Sequence, residues 1–299
     1  MKGENIDMNN YILRVTSADK SIRGFFAVTT GLAEKARELH NTTPVATAAL
    51  GRAITAGSIM GLMIKGENDK LTLQIKGDGP AGGIVVVSNY QGIVKGYIAN
   101  PDVEVPLRED GKLNVGAAIG REGKINVIID MGLKEPYVGQ YSLVSGEIGD
   151  DLAHYFTFSE QTPSAVALGV LVDRDHSVKA AGGFIVQPLP DASEQSISRL
   201  EENISGMKPI TALIEEGKTP EDIMNIVLDG FEPQVLEKYE VDYQCDCSRE
   251  KFEKALVTIG REELEKILLE DGGAELVCHF CNKKYNFSGE ELQKIIDMI

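Results

Sequence analysis

The chain has no tryptophan, and none of its four cysteines occurs in the first 244 of its 299 residues. All four lie in the last 55 residues, as Cys245-Asp246-Cys247 and Cys278-His279-Phe280-Cys281. This distribution excludes a disulfide framework for most of the chain. Two close thiol pairs can place four sulfurs around one tetrahedral ion, the geometry that Zn²⁺ prefers. The same sulfurs can also pair as two short-range disulfides.

Long hydrophobic runs are also absent. Residues 1–7 have neither the apolar core nor the cleavage site of a secretory signal. The longest small and apolar stretch, 44–64, carries Arg52 near its centre and predicts a buried helix rather than a membrane span. We therefore expect a cytoplasmic protein without a membrane partner. In a reducing cytoplasm, metal binding or redox sensing is the default role of a cysteine cluster.

Basic residues are in deficit, and the net charge is −16. The imbalance is concentrated from Asp191 onward, where 25 acidic residues face 12 basic ones. An acidic surface repels phosphate backbones, which argues against nucleic acid as the main ligand. Solubility alone explains the acidity equally well.

The pattern of residues 1–190 predicts an α+β domain of helices and a largely antiparallel sheet. Helical periodicity occurs at 33–39 and 44–64. Short β-type runs bounded by turn residues follow at 71–75, 84–87, 93–98, 125–129, 141–144, 154–158 and 183–187. Because the strands cluster between helical regions instead of alternating with them, a doubly wound fold is not expected.

Residues 191–230 predict a metastable helical linker. Three short helix-like pieces occur at 197–207, 210–216 and 220–228, the last with Thr219 as its N-cap. Helices this short are marginal unless they pack against something else, so this segment should unfold easily. Replacing Gly217 with alanine should stabilise the linker if the local backbone permits an alanine there.

Residues 231–299 predict a small C-terminal α+β domain that holds all four cysteines. Helices are expected at 251–257 and 262–269, a strand at 284–287, and a last helix that begins with the capping pair Ser288 and Glu291. A structural metal commonly supplies the stability that a domain of this size lacks. We therefore predict that Cys245, Cys247, Cys278 and Cys281 bind one Zn²⁺, with His279 as a bystander.

The cysteine spacing leaves three roles open. The site can be a passive zinc clip that folds the end of the chain. It can be a redox switch, because oxidation of a metal-bound thiolate removes a ligand from a small domain. A dithiol oxidoreductase at Cys278 and Cys281 is less favoured, since its cysteines need a helix N-terminus and a β-type segment follows them here.

No other segment indicates an enzyme site, and we expect no enzymatic activity. The glycine-rich residues 77–83 predict a hairpin, because no Gly-Lys-Ser/Thr follows them. Asp150 and Asp151 are expected to be ordinary exposed carboxylates. The remaining histidines are scattered and have no nucleophile nearby in sequence: His40, His154 and His176.

Several segments, in order over nearly the whole chain, carry a family resemblance. Around the cysteines they are Cys245-Asp246-Cys247-Ser248-Arg249 and Glu275-Leu276-Val277-Cys278-His279-Phe280-Cys281, followed by Tyr285 and Phe287. Upstream they are Ala49-Leu50-Gly51-Arg52-Ala53, Gly77-Asp78-Gly79-Pro80 and Ala181-Gly182-Gly183-Phe184-Ile185-Val186-Gln187. Through these segments the chain resembles the 33-kDa heat-shock protein family, the redox-regulated molecular chaperones of bacteria.

The resemblance implies a holdase chaperone that works without ATP. In the family's reduced form, four cysteines hold zinc and the chaperone is inactive. Hypochlorite, or peroxide with heat, forms two disulfides, which here would be Cys245–Cys247 and Cys278–Cys281. The resemblance further implies that zinc leaves, that the C-terminal domain and linker unfold, that unfolding client proteins bind, and that the oxidised form is a homodimer. A constitutive zinc-ribbon binding module and a thiol-disulfide oxidoreductase are the alternatives.

Overall fold

The computed structural model describes residues 10–64 and 66–299 and divides the chain into two compact units, one ending at Gln244 and one from Cys245 to Ile299. Residues 1–9, where the sequence indicated no secretory signal, lie outside the described residues. Within the described ranges, no helix combines the length and apolar character needed to cross a bilayer.

The first unit mixes helices and strands, as predicted. Its elements are β1 (Tyr11–Thr16), β2 (Ile22–Val28), α1 (Thr30–His40), α2 (Pro44–Gly61), β3 (Lys70–Lys76), β4 (Ile84–Asn89), β5 (Ile93–Ile98), α3 (Val115–Ile119), β6 (Lys124–Asp130), β7 (Tyr137–Ser142), α4 (Ile148–Phe158), β8 (Ala165–Val172), β9 (Val178–Pro188), α5 (Glu194–Ser205), α6 (Ile210–Glu215), α7 (Pro220–Val227), β10 (Gln234–Glu240) and β11 (Asp242–Tyr243).

Two sheets form the framework of this unit. One has the strand order β10-β1-β2-β9-β8, and all its neighbours are antiparallel. The other has the order β11-β5-β4-β3-β6-β7 and is antiparallel except where β11 joins β5. The fold is therefore α+β, as the clustering of strands predicted.

Helix α2 is almost entirely buried and contacts strands of both sheets. Its small residues permit this close approach. A Cβ atom at Gly57 would lie 2.5 Å from Val86 Cγ1 in β4, and one at Gly51 would lie 2.9 Å from Val170 Cγ2 in β8. The helix is a core element of the unit, which confirms the prediction of a buried helix.

Two predictions around α4 are wrong. Residues 154–158 were expected to form a strand but lie in the last turns of this helix, whose apolar residues Leu152, Tyr155 and Phe156 are buried. A five-residue window is too short to show helical periodicity. Asp151, expected to be exposed, is buried, and its Oδ1 accepts hydrogen bonds from the N–H groups of Val144 (2.7 Å) and Ser145 (2.9 Å).

The three predicted helices of the linker are present as α5, α6 and α7, and they pack against β1, β2 and β9. Strand residues Leu13, Val15, Phe26, Phe184 and Val186 share one buried cluster with helix residues Leu200, Ile210, Leu213, Ile223, Met224 and Val227. A polar contact joins the same layers, because the Tyr11 hydroxyl donates to Glu221 Oε2 at 2.5 Å. The linker helices therefore cover an apolar sheet face.

Helix α7 begins as predicted. The Thr219 hydroxyl accepts a hydrogen bond from the N–H group of Asp222 at 3.2 Å, and the Asp222 carboxylate accepts one from the N–H group of Thr219 at 3.0 Å. This reciprocal capping box satisfies two backbone donors that the first turn leaves free.

The compact second unit begins at Cys245, later in the chain than residue 231, where the sequence placed the C-terminal domain. Strand β10 pairs with β1 and strand β11 pairs with β5, so both belong to sheets of the first unit. Their partners are far away in sequence, and a local pattern does not reveal such pairing.

The second unit contains α8 (Arg249–Ile259), α9 (Arg261–Asp271), β12 (Gly273–Val277), β13 (Lys284–Ser288) and α10 (Gly289–Asp297). Strands β12 and β13 form an antiparallel hairpin. Ser288 and Glu291 form the predicted capping box of α10. The core is small and consists of Leu256, Leu264, Tyr285, Phe287, Leu292, Ile295 and Ile296.

Two glycines of the linker should respond to alanine in opposite ways. Gly217 has φ +83°, a left-handed conformation, so the condition for a stabilising alanine is not met. We expect Gly217→Ala to destabilise the linker by about 1–2 kcal/mol. Gly206 has φ −84° and ordinary space for a Cβ atom, so Gly206→Ala should stabilise it by about 0.4–1 kcal/mol.

Hydrogen exchange of the amides in α5, α6 and α7 measures both effects. Protection should fall in the Gly217 variant and rise in the Gly206 variant. Equal protection in the two variants would contradict the assigned backbone conformations.

Candidate metal centre

The four cysteines come together in the second unit from two chain segments. Cys245 and Cys247 lie in the irregular segment before α8, while Cys278 and Cys281 lie in the turn between β12 and β13. Backbone hydrogen bonds fix this turn, from the N–H group of Cys278 to the oxygen of Lys283 (3.0 Å) and from the N–H group of Cys281 to the oxygen of Cys278 (3.3 Å). The hairpin therefore presents the second thiol pair on a rigid support.

The sulfur atoms are spaced as ligands of one ion. All four Sγ atoms lie within 4.8 Å of one another. The shortest distances cross the two motifs, 3.6 Å for Cys245–Cys278 and 3.4 Å for Cys247–Cys281. A metal–sulfur bond of about 2.3 Å gives a tetrahedral sulfur–sulfur distance of about 3.8 Å. The cluster can therefore hold one tetrahedral metal ion.

A tyrosine of the hairpin contacts this cluster. The Tyr285 hydroxyl lies 3.2 Å from Cys247 Sγ and 3.1 Å from the Cys247 backbone oxygen. The sequence placed Tyr285 among the segments that carry the family resemblance but assigned it no role. The alternation of residues on β13 could have predicted that Tyr285 is buried, because Tyr285 and Phe287 lie two positions apart and both point into the core of the unit.

The surroundings of the thiols change their acidity. Burial raises the pKa of the Cys245 thiol and that of the Cys281 thiol. Burial acts in the same direction on Cys247, but hydrogen bonds from Tyr285 and from the neighbouring thiols outweigh it and lower the pKa of Cys247 to about 7. The hydrogen bond to Cys247, and then burial, raise the pKa of the Tyr285 hydroxyl, which therefore stays protonated and can donate.

The histidines named in the sequence do not join this cluster. His40 is buried in the first unit, where its Nε2 lies 3.0 Å from the backbone oxygen of Gly96. His154 stacks with Tyr141 and Phe158. His279 is not among the clustered ligand atoms. Among the described residues, the metal-ligand cluster consists of the four cysteines.

Comparison with known proteins identifies the family. A protein-family model described as "Hsp33 protein" matches residues 10–288 of the chain. The chain belongs to the Hsp33 family. This confirms the resemblance that the sequence segments carried, and Hsp33 is a family of chaperones.

Two relatives and one solved structure show how close the match to Hsp33 proteins is. The 33 kDa chaperonin of Alkaliphilus metalliredigens is 54% identical over 97% of this chain and 99% of its own length. The 33 kDa chaperonin of Clostridioides difficile is 56% identical over 97% of this chain and 99% of its own length. The crystal structure of the 33 kDa chaperonin from Thermotoga maritima is 40% identical, with a TM-score of 0.90 over 97% of this chain and 98% of that one.

Removing one sulfur should weaken metal binding, because a neutral hydroxyl is a poor substitute for a thiolate. We expect Cys278→Ser to lower zinc affinity by more than about tenfold and to destabilise the second unit. His279→Ala, a change at the adjacent residue, is the matched control and should leave zinc affinity unchanged. Chelator competition measures both affinities, and full affinity in Cys278→Ser would contradict ligation by four sulfurs.

Proposed function

We propose that this protein is an ATP-independent holdase chaperone whose activity is switched by oxidation of a zinc–thiolate centre. Membership of the Hsp33 family supports the chaperone activity. The proposal of a redox switch is based on one observation, the convergence of four sulfurs in a unit with a small apolar core.

Cys245, Cys247, Cys278 and Cys281 would hold one zinc ion per chain in the reduced form. Four thiolates close the tetrahedral shell of zinc and leave no position for a substrate, which supports a structural and regulatory site and no enzymatic activity. Zinc supplies about 10–16 kcal/mol of folding free energy in finger peptides, as much as the typical stability of a whole domain, about 5–15 kcal/mol. The second unit would therefore depend on its metal ligands.

Oxidation would convert these ligands into two disulfides, Cys245–Cys247 and Cys278–Cys281. For each pair, two thiolates and one hypochlorous acid take up one proton and give one disulfide, one chloride and one water. The thiolates lose two electrons and the chlorine atom gains them. A disulfide sulfur is a poor metal ligand, so the oxidised cysteines would no longer bind zinc, and the second unit would unfold.

Unfolding of the linker would give this switch a surface that binds client proteins. Helices α5, α6 and α7 cover a sheet face that includes Leu13, Phe26 and Phe184, each at most 1% exposed. Unfolding of these short helices would expose a contiguous apolar face, and such faces bind apolar segments of other chains. The proposed partners are unfolding client proteins in the cytoplasm, with no role for nucleic acid or membrane.

An exposed apolar face also favours self-association, so we propose that the oxidised form is a homodimer. The oxidoreductase alternative has less support. Cys278 and Cys281 lie in a hairpin turn, whereas a catalytic dithiol gains reactivity from a helix N-terminus.

Zinc content and chaperone activity should change in opposite directions. Reduced protein should contain one zinc per chain and leave a heat-unfolded client to aggregate, because its apolar sheet face is covered. Oxidised, metal-free protein should suppress that aggregation with or without ATP. Zinc quantification and light scattering before and after oxidation measure the two quantities.

The same measurements separate the alternatives. Equal suppression by both forms would indicate a constitutive zinc-ribbon module and reject the switch. Reduction of insulin at a rate comparable to that of a thioredoxin would indicate an oxidoreductase.

The linker glycines should set the activation threshold. If linker unfolding gates activity, Gly217→Ala should become active at a lower temperature during oxidation, and Gly206→Ala at a higher one. Both chains keep all four cysteines, so their zinc affinities should match that of the unchanged protein. Identical activation temperatures despite different hydrogen exchange would contradict the proposal that linker unfolding controls activity.

A further inference from the structure

A side-chain contact joins the two chain segments of the sulfur cluster. Tyr285 belongs to β13, in the hairpin that carries Cys278 and Cys281 at its turn. Its hydroxyl reaches the other segment, at 3.2 Å from Cys247 Sγ and 3.1 Å from the Cys247 backbone oxygen. One side chain therefore links the first thiol pair to the hairpin that holds the second.

The ring of Tyr285 is buried and packed, which restricts the position of its hydroxyl. It is 7% exposed, and its centroid lies 4.6 Å from that of Phe252 in α8. Its backbone pairs with Leu276 across the hairpin. A rigid donor that contacts both a sulfur and the backbone of the same cysteine restricts the position of that cysteine.

We propose that Tyr285 is a positioning residue of the cluster, which orients Cys247 and holds the Cys245–Cys247 segment against the hairpin in the folded second unit. This inference rests on the proposed zinc site. A hydrogen-bond partner fixes the orientation of a metal ligand, and such partners typically contribute about 10–100-fold to metal affinity. The hydroxyl, not the ring, supplies the effect.

Tyr285→Phe tests the proposal because it deletes the hydroxyl and keeps the packed ring. In the reduced full-length protein, zinc affinity by chelator competition should fall about tenfold. With cobalt(II) in place of zinc, the sulfur-to-metal charge-transfer band should move to longer wavelength, since a thiolate without its hydrogen bond gives up electron density more readily. The band is read at saturating cobalt, so it reports on the site even where the variant is less stable.

Tyr155→Phe is the matched control. It deletes a buried tyrosine hydroxyl that donates to Glu160 in the first unit, and it should change neither zinc affinity nor the cobalt band. A zinc affinity for Tyr285→Phe within about twofold of the unchanged protein would overturn the proposal. Lower affinity with an unchanged band would also overturn it, because that result indicates general destabilisation. A reduced parent protein that binds no zinc would instead reject the proposed zinc site.

Discussion

The burial of one sheet face beneath the linker helices is the interaction on which the proposed behaviour depends. The Phe26 and Phe184 rings lie 5.7 Å apart on this face and are fully buried under α5, α6 and α7. Burying a side chain of this size contributes about 1.5–3 kcal/mol. Helices of six to twelve residues are marginal alone, so the sheet stabilises the helices while the helices keep the sheet from water.

The two units differ in what keeps them folded. In the first, α2 is buried against strands of both sheets, so a large apolar core supplies the stability. The second has a small core and four converging thiols. Oxidation acts on thiols and leaves apolar contacts unchanged. An oxidant would therefore destabilise the second unit selectively. In the first unit, the core around α2 would remain folded and would hold the sheet face that unfolding of α5, α6 and α7 would expose.

Local signals were sufficient to predict much of the linker and the second unit. Thr219 and Ser288 each cap a helix through residues only three positions away, and the cysteine pairs are visible in the sequence itself. Features that depend on distant residues could not be predicted. Tyr11 pairs with Glu240 across β1 and β10, and Tyr285 contacts Cys247 from another segment. The backbone angle at Gly217 also depends on the turn that surrounds it, so its left-handed conformation was not evident.

Strands β1, β2 and β8 were missed for a related reason. Strand β2 is buried on both faces, where Phe25 belongs to one core cluster and Phe26 to the other. A strand between two apolar layers does not alternate between apolar and polar residues, so the usual period of two is lost. The short apolar run then resembles a buried helix segment as closely as it resembles a strand.

The arrangement of the sulfurs also bears on which disulfides suit a switch. The shortest contacts, Cys245–Cys278 and Cys247–Cys281, join residues 33 and 34 positions apart. Disulfides at those pairs would close long loops and stabilise the folded second unit by about 3–4 kcal/mol, which opposes unfolding. The proposed pairs, Cys245–Cys247 and Cys278–Cys281, close only short loops and place no restraint between the two segments. Pairing within each motif would therefore remove the proposed metal ligands without replacing the cross-link that the metal would have supplied.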